Sequence, residues 1–169
     1  MPTIAVSSPT VGEGGFAVFT VSLSNASTTD VTFSPTLASG TATVGTDTST
    51  ALEYFDGSAW IAVPVAGVTI AAGSTSVQVR VATNDDVAAE GSENFSLTAT
   101  VTAGLTGNAS AVGTATITDD VDATTLVLTG TPSVAEGGTI VYTATLTNAA
   151  VTPLTVTLSS GQTISIGAG

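Results

Sequence analysis

The sequence predicts an all-β protein, a sandwich of two sheets, and three observations carry that expectation. Thr supplies 34 of the 169 residues beside abundant Val, Ala, Ser and Gly, while Lys is absent and Arg, Gln and Met are scarce. Thr and Val have a branched Cβ that loses χ1 freedom in a helix and packs well on a pleated strand. Apolar and polar residues alternate with period two, most cleanly in Val77-Gln78-Val79-Arg80-Val81, and no window of useful length has helical periodicity. Turn signals recur at short intervals, at Asn25-Ala26-Ser27, Asp56-Gly57, Ala72-Gly73-Ser74 and Gly104 to Asn108.

Taken in order, strands are expected near 4–7, 16–23, 30–36, 41–46, 51–54, 59–63, 67–70, 75–82, 94–102 and 111–118. The segment 16–23 alternates from Phe19 to Leu23, 75–82 through its Val residues, 94–102 from Phe95 to Val101, and 111–118 from Val112 to Thr118. The shorter ones rest on branched residues bounded by turns. Many short strands with regular punctuation describe two sheets that bury their inner faces together. The expected core is Phe16 or Val18, then Phe19, Val21, Leu23, Phe33, Val77, Val79, Val81, Phe95, Leu97 and Ile117. Trp60, beside Asp56-Gly57 in an expected hairpin, reads as an aromatic plug over one end of that core.

A repeat sets the domain organisation. Residues 8–26 read SPTVGEGGFAVFTVSLSNA and residues 131–149 read TPSVAEGGTIVYTATLTNA, with matches such as Glu13/Glu136, Thr20/Thr143 and Leu23/Leu146 all 123 positions apart. A fixed offset of this kind marks a tandem module. Residues 1–120 then form a complete sandwich module, and 121–169 a linker with the N-terminal part of a second, truncated copy. A partial sandwich leaves apolar faces and strand edges open, which invites association or strand exchange. The chain reads as a section of a longer array, or as one whose missing strands come from elsewhere.

Charge narrows the function. Thirteen Asp and Glu stand against one Arg, no Lys and no His, for a formal net charge of -12. Binding to nucleic acid needs basic clusters that this chain lacks, and an anionic membrane would repel it. No apolar run is long enough to span a bilayer, and Met1-Pro2-Thr3-Ile4 has no signal-peptide character. His-based acid–base catalysis, Cys or His zinc sites, disulfides and a Walker-type loop all lack their residues. Glycoside hydrolysis by two carboxylates would need an aromatic groove, and one Trp with two Tyr does not supply it. The chain is not expected to be an enzyme.

The carboxylates fall in groups. Asp85-Asp86 leads to Glu90 and Glu93, Asp119-Asp120-Val121-Asp122 follows the last strand of the first copy, Glu13 and Glu136 each precede a Gly pair, and Asp47 closes Gly45-Thr46-Asp47. Such groups repel one another. Calcium relieves them with six to eight oxygen ligands, and the neighbouring glycines allow tight turns and close carbonyls. No EF-hand or glycine-aspartate nonapeptide is present, so a site must assemble from loops distant in sequence. Glu90 and Glu93 are weaker candidates, because Glu93 is also a candidate partner for Arg80.

Five elements in order, Glu13-Gly14-Gly15, Gly40 to Asp47, Asn84-Asp85-Asp86, Glu90 to Phe95 and Gly113 to Asp120, resemble the Calx-beta pattern. The exit strand Gly113-Thr114-Ala115-Thr116-Ile117-Thr118-Asp119-Asp120 is similar to that of tandem extender modules in large, RTX-type, biofilm-associated bacterial adhesins. The resemblance runs over 8–122 and resumes over 131–166. It implies an Ig-like sandwich on the bacterial cell surface that binds Ca2+, with neighbouring modules of the same polypeptide as its partners. Carried over motif by motif, the ligands are Glu13, Asp47, Asp85, Asp86 and Asp119. Asp119, Asp120, Asp122 and Glu136 fit a second role, clamping the short linker between copies so that the fibre is extended. Asp47-Thr48-Ser49-Thr50 lacks the aromatic and the second carboxylate common in the family, and Asn84 is a neutral ligand. Fewer or weaker ions are therefore expected.

A rival reading is a carbohydrate- or protein-binding module, which would show an exposed aromatic patch around Trp60 next to a bound ion. Ice binding by the Thr-rich strands is disfavoured, since flat arrays need a short coil repeat. Sequons at Asn25, Asn94 and Asn108 are weak signals alone.

Overall fold

The structure, a computed structural model, describes residues 1–87, 90–119, 124–150 and 152–168. The chain divides into two compact units, and each is considered by itself. The first holds β1 (Ile4–Val6), β2 (Thr10–Gly12), β3 (Phe16–Leu23), β4 (Val31–Ser39), β5 (Glu53–Phe55), β6 (Trp60–Ala62), β7 (Val68–Ile70), β8 (Ser76–Ala82), β9 (Glu93–Ala103) and β10 (Ser110–Thr118). They form two five-stranded sheets, β1-β3-β8-β5-β6 and β2-β10-β9-β4-β7. The fold is the all-β sandwich that the alternation predicts.

The period-two pattern decides which residues the sheets enclose. Along β3, Ala17, Phe19, Val21 and Leu23 are buried and the residues between them are only half-buried. Facing them from the other sheet are Phe33, Phe95, Leu97 and Ile117, with Phe19 and Phe95 meeting edge to face at 5.9 Å. The register excludes Phe16 from the core, where it was one of two options: it shares the outward face with Val18 and is 46% exposed. Val77 is half-buried at the core margin.

The first strand is split between the sheets. β1 pairs antiparallel with β3, and after Ser7-Ser8-Pro9 the chain crosses to pair β2 parallel with β10. The crossing passes so close to Gly113 that a Cβ there would lie 2.1 Å from the Ser7 carbonyl oxygen, so only glycine fits. Asn108 pins β1 from the side, accepting the Ile4 N–H at 2.9 Å and donating to the Ile4 carbonyl at 3.0 Å. Its sequon is thus committed to the fold.

The strand expected at 41–46 is instead a curled loop. Thr43 C=O accepts the N–H groups of Thr46 and Asp47, and Gly45 (φ 97°) donates to Thr48 C=O, so the segment turns back on itself. Trp60 also differs from its expected place. It lies half-buried near Arg80, tilted against Phe55 at 5.5 Å, rather than capping the core.

The second unit consists of two hairpins, β11 (Leu126–Gly130) with β12 (Tyr142–Leu146) and β13 (Leu154–Thr157) with β14 (Thr163–Ile166). Gly14 and Gly137, 123 positions apart, both take positive φ (66° and 81°), so the Glu-Gly-Gly turn is locally alike in the two copies.

Candidate cation site

Four of the predicted ligands converge on one end of the first sandwich, where β2, β8 and β10 finish and β3 and β9 begin. The backbone shows how. Glu13 N–H donates to Thr118 C=O at 3.2 Å, which sets the Glu13 turn beside the residue preceding Asp119. Asn84 N–H donates to Asp47 C=O at 2.9 Å, joining the curled loop to the loop after β8. Gly14 makes room for the next carboxylate: a Cβ there would be 3.2 Å from the Asp85 Cβ. Glu13, Asp47 and Asp119 are half-buried, whereas Asp85 and Asp86 are exposed.

Asp47 is pre-set by its own loop. Its Oδ2 accepts the Thr43 N–H at 2.5 Å, the local side-chain-to-backbone bond that Asp makes readily in turns. That bond fixes the side chain while leaving lone pairs on both oxygens. Carboxylate oxygens of Asp47 and Glu93 lie within 4.8 Å of each other. Two anions so close repel, and the chain holds no Lys or His.

Its only Arg is committed elsewhere. Arg80 Nη2 lies 2.7 Å from Glu53 Oε2 and Nε donates to the same oxygen at 2.8 Å, a pairing dictated by the β5–β8 register that sets Glu53 opposite Arg80. The guanidinium also sits 4.0 Å from the Phe16 ring centroid and 4.4 Å from that of Trp60. Arg80 therefore pairs with Glu53, and Glu93 lies close to Asp47. Glu53, the next carboxylate after Asp47 in the sequence, is taken up by this pair.

Glu93 is thus more central than the sequence suggested. The signal was there in Glu90-Gly91-Ser92-Glu93, two carboxylates three apart directly before a strand and shortly after Asp85-Asp86. Glu136 is exposed, in the second unit. Asp120 and Asp122 lie outside the described residues.

As a donor set the site is all oxygen, rich in carboxylate and built on loops with backbone carbonyls close by. That chemistry fits a hard cation such as Ca2+ and suits neither a thiophilic metal nor an anion. Among the described residues no helix is long and apolar enough to cross a membrane.

Comparison with known proteins bears on both units. A family model described as "LapA domain" matches residues 122–169. No curated protein matches the chain. Among solved structures, the calcium binding domain CBD12 of CALX1.1 is 20% identical with a TM-score of 0.51, covering 69% of this chain and 44% of its own. CBD12 from CALX1.2 is 19% identical with a TM-score of 0.52, covering 70% of this chain and again 44% of its own. The chain therefore spans less than half the length of these two relatives. At such identities the likeness speaks for the fold, a β-sandwich of the Calx-beta kind.

Proposed function

We propose that the first unit is a non-catalytic, calcium-binding extender module of a bacterial surface adhesin. The observation that carries this reading is the convergence of Glu13, Asp47, Asp85 and Asp119 with Glu93 on one end of the sandwich, in a chain whose single Arg pairs with Glu53. Calcium would supply the missing positive charge, and Asp86 adds a further donor from the same loop. The LapA-domain match over residues 122–169 supports an adhesin context, and with it an extracellular, cell-surface location. Partners on this reading are neighbouring modules of the same polypeptide, together with strand exchange or association through the second repeat. The run Asp119-Asp120-Val121-Asp122, which stands between the two repeats in the sequence, and Glu136 would clamp the linker with calcium and stiffen the fibre. The rival carbohydrate- or protein-binding reading loses support from Trp60, whose ring is engaged by Arg80 and Phe55.

Thermal melts in excess EDTA, in about 1 mM calcium and in equal magnesium test the reading, because a ligand bound to the native state raises Tm by mass action. A calcium-specific rise is expected, reduced in Asp85→Ala and in Asp119→Ala. Coincident melts in calcium and EDTA would leave the carboxylates as solubilising surface and return the binding-module reading to first place.

A further inference from the structure

The loop after β8 begins Thr83-Asn84, immediately before Asp85-Asp86, and both side chains turn back into the protein. Thr83 is buried, with 4% of its surface exposed, a rare position for a hydroxyl. Its Oγ1 accepts the Gly15 N–H at 3.0 Å and shares its single proton between Gly12 C=O at 3.0 Å and Gly15 C=O at 3.2 Å. The Thr83 N–H donates to Gly15 C=O at 2.9 Å. One residue thus grips both shoulders of the Glu13-Gly14 turn. Thr83 also forms an antiparallel bridge with Thr48, next to Asp47, and Thr48 is itself fully buried.

Asn84 grips a different loop. Its N–H donates to Asp47 C=O at 2.9 Å, and its side-chain Nδ2 donates to Thr46 C=O. The sequence had suggested Asn84 as a weak ligand. In the structure its amide nitrogen instead holds the backbone that carries Asp47.

We infer that Thr83 and Asn84 are positioning residues that lock the Glu13 turn and the Asp47 loop to Asp85-Asp86, and so set the calcium affinity of this end without touching the ion. This rests on the calcium reading above. The physical reason is pre-organisation. Carboxylates on separate loops repel when no ion is present, so the distances between the loops must be held by groups that carry no charge. A buried hydroxyl meeting three backbone groups and an amide meeting a fourth do this without adding charge. Gly15 tightens the grip, since a Cβ there would fall 2.8 Å from Val11 Cγ2 and 3.0 Å from Gly12 C=O.

The test measures calcium affinity of the full chain by titration calorimetry near 25 °C, with Tm in EDTA recorded for each variant. Thr83→Val keeps the shape and removes the hydroxyl, and should weaken calcium about tenfold, which is about 1.4 kcal/mol. Thr83→Ser keeps the hydroxyl and should bind within about twofold of wild type, on the same scale. Asn84 is exposed, so Asn84→Ala should fold and weaken calcium about threefold. Asn84→Asp separates position from ligation: a clamp loses its donor and binds more weakly, whereas a ligand gains a charge and binds more tightly. Unchanged affinity in Thr83→Val and Asn84→Ala, with only the EDTA melt lowered, would make both residues purely structural and overturn the inference. Tighter binding by Asn84→Asp would overturn it for Asn84. Should Thr83→Val fail to fold, the Asn84 pair decides. A wild-type chain that takes up no calcium would identify the calcium reading itself as the failure.

Discussion

The two units carry one sequence pattern and bury it to opposite extents. Phe19 in the first unit is fully buried, whereas Tyr142, its counterpart 123 positions on, is 49% exposed. Val31 is buried and its counterpart Leu154 is 39% exposed. Alternation therefore chooses which face of a strand is apolar but does not supply what covers it. In the first unit β8, β9 and β10 provide Val79, Val81, Phe95, Leu97 and Ile117 as the cover. Among the described residues of the second unit only two hairpins are present.

Register follows cover. Ile4 pairs with Leu23 in the first unit, so Val127 would face Leu146 by the repeat, yet Leu126 does. A one-residue shift sends each side chain to the other face, and it is strongly opposed only where one face is buried. The first unit has the buried face, together with Asn108 bonded to both main-chain groups of Ile4.

The sharpest test sets matched truncations against one another. Phe19→Ala removes a fully buried ring and should cost about 3–5 kcal/mol, whereas Tyr142→Ala should cost less than about 1 kcal/mol. Leu23 and Leu146 are the same residue at matched positions, the first 5% exposed and the second half-buried. Leu23→Ala should cost about 2–4 kcal/mol and Leu146→Ala about half of that or less. Urea unfolding followed by the fluorescence of Trp60, the only Trp and part of the first unit, reads the first-unit member of each pair. Calorimetry reads the other. Equal costs within a pair would mean that the second unit has a covered core after all.

Next in size is Asn108→Ala. It removes the two bonds to Ile4 and a third from Nδ2 to Ser110 C=O at 2.9 Å, and should cost about 1–3 kcal/mol. Hydrogen exchange should rise in β1 before the rest of its sheet. Uniform exchange across β1 and β3 would show that packing, not Asn108, holds the first strand.

Much of this fold was legible because period-two alternation and turn residues are local signals. The segments 16–23, 75–82, 94–102 and 111–118 became β3, β8, β9 and β10 with shifts of a residue or so. Two misreadings have long-range or loop-specific causes. β2 is three residues long and is a strand only because it lies parallel to β10, over a hundred positions away. Thr41 to Thr46 looked like a strand by composition, and the bonds of Asp47 and Gly45 curl it. At the site, the carboxylates themselves stood out as residue types. What holds them did not: Thr83 is one Thr among 34, and its importance comes from Gly12 and Gly15 arriving from about 70 positions earlier. The Glu53–Arg80 pair depended likewise on a strand register that composition cannot reveal.

The smallest expected effect is at the tip of the β5–β6 hairpin, where one carboxylate oxygen gathers three donors. Asp56 Oδ1 accepts from Ser58 N–H at 2.8 Å, Ser58 Oγ at 2.9 Å and Ala59 N–H at 2.8 Å, while Gly57 takes φ 103°. The Ala59 and Ser58 bonds hold the Asp56 carboxyl below its ordinary value. A depressed folded-state pKa stabilises above the unfolded pKa and loses that contribution as pH falls through the folded one. Asp56→Ala should therefore lower the urea midpoint slightly near pH ~7, and the gap to wild type should shrink toward pH ~3 as the carboxylate protonates. Asp56→Asn, which keeps an acceptor but no charge, should show a smaller gap near pH ~7 that also shrinks as the wild-type carboxylate protonates. If the Ala gap is the same at both pH values, the turn is held by Gly57 and the backbone bond from Asp56 N–H to Ala59 C=O, with the charge contributing nothing.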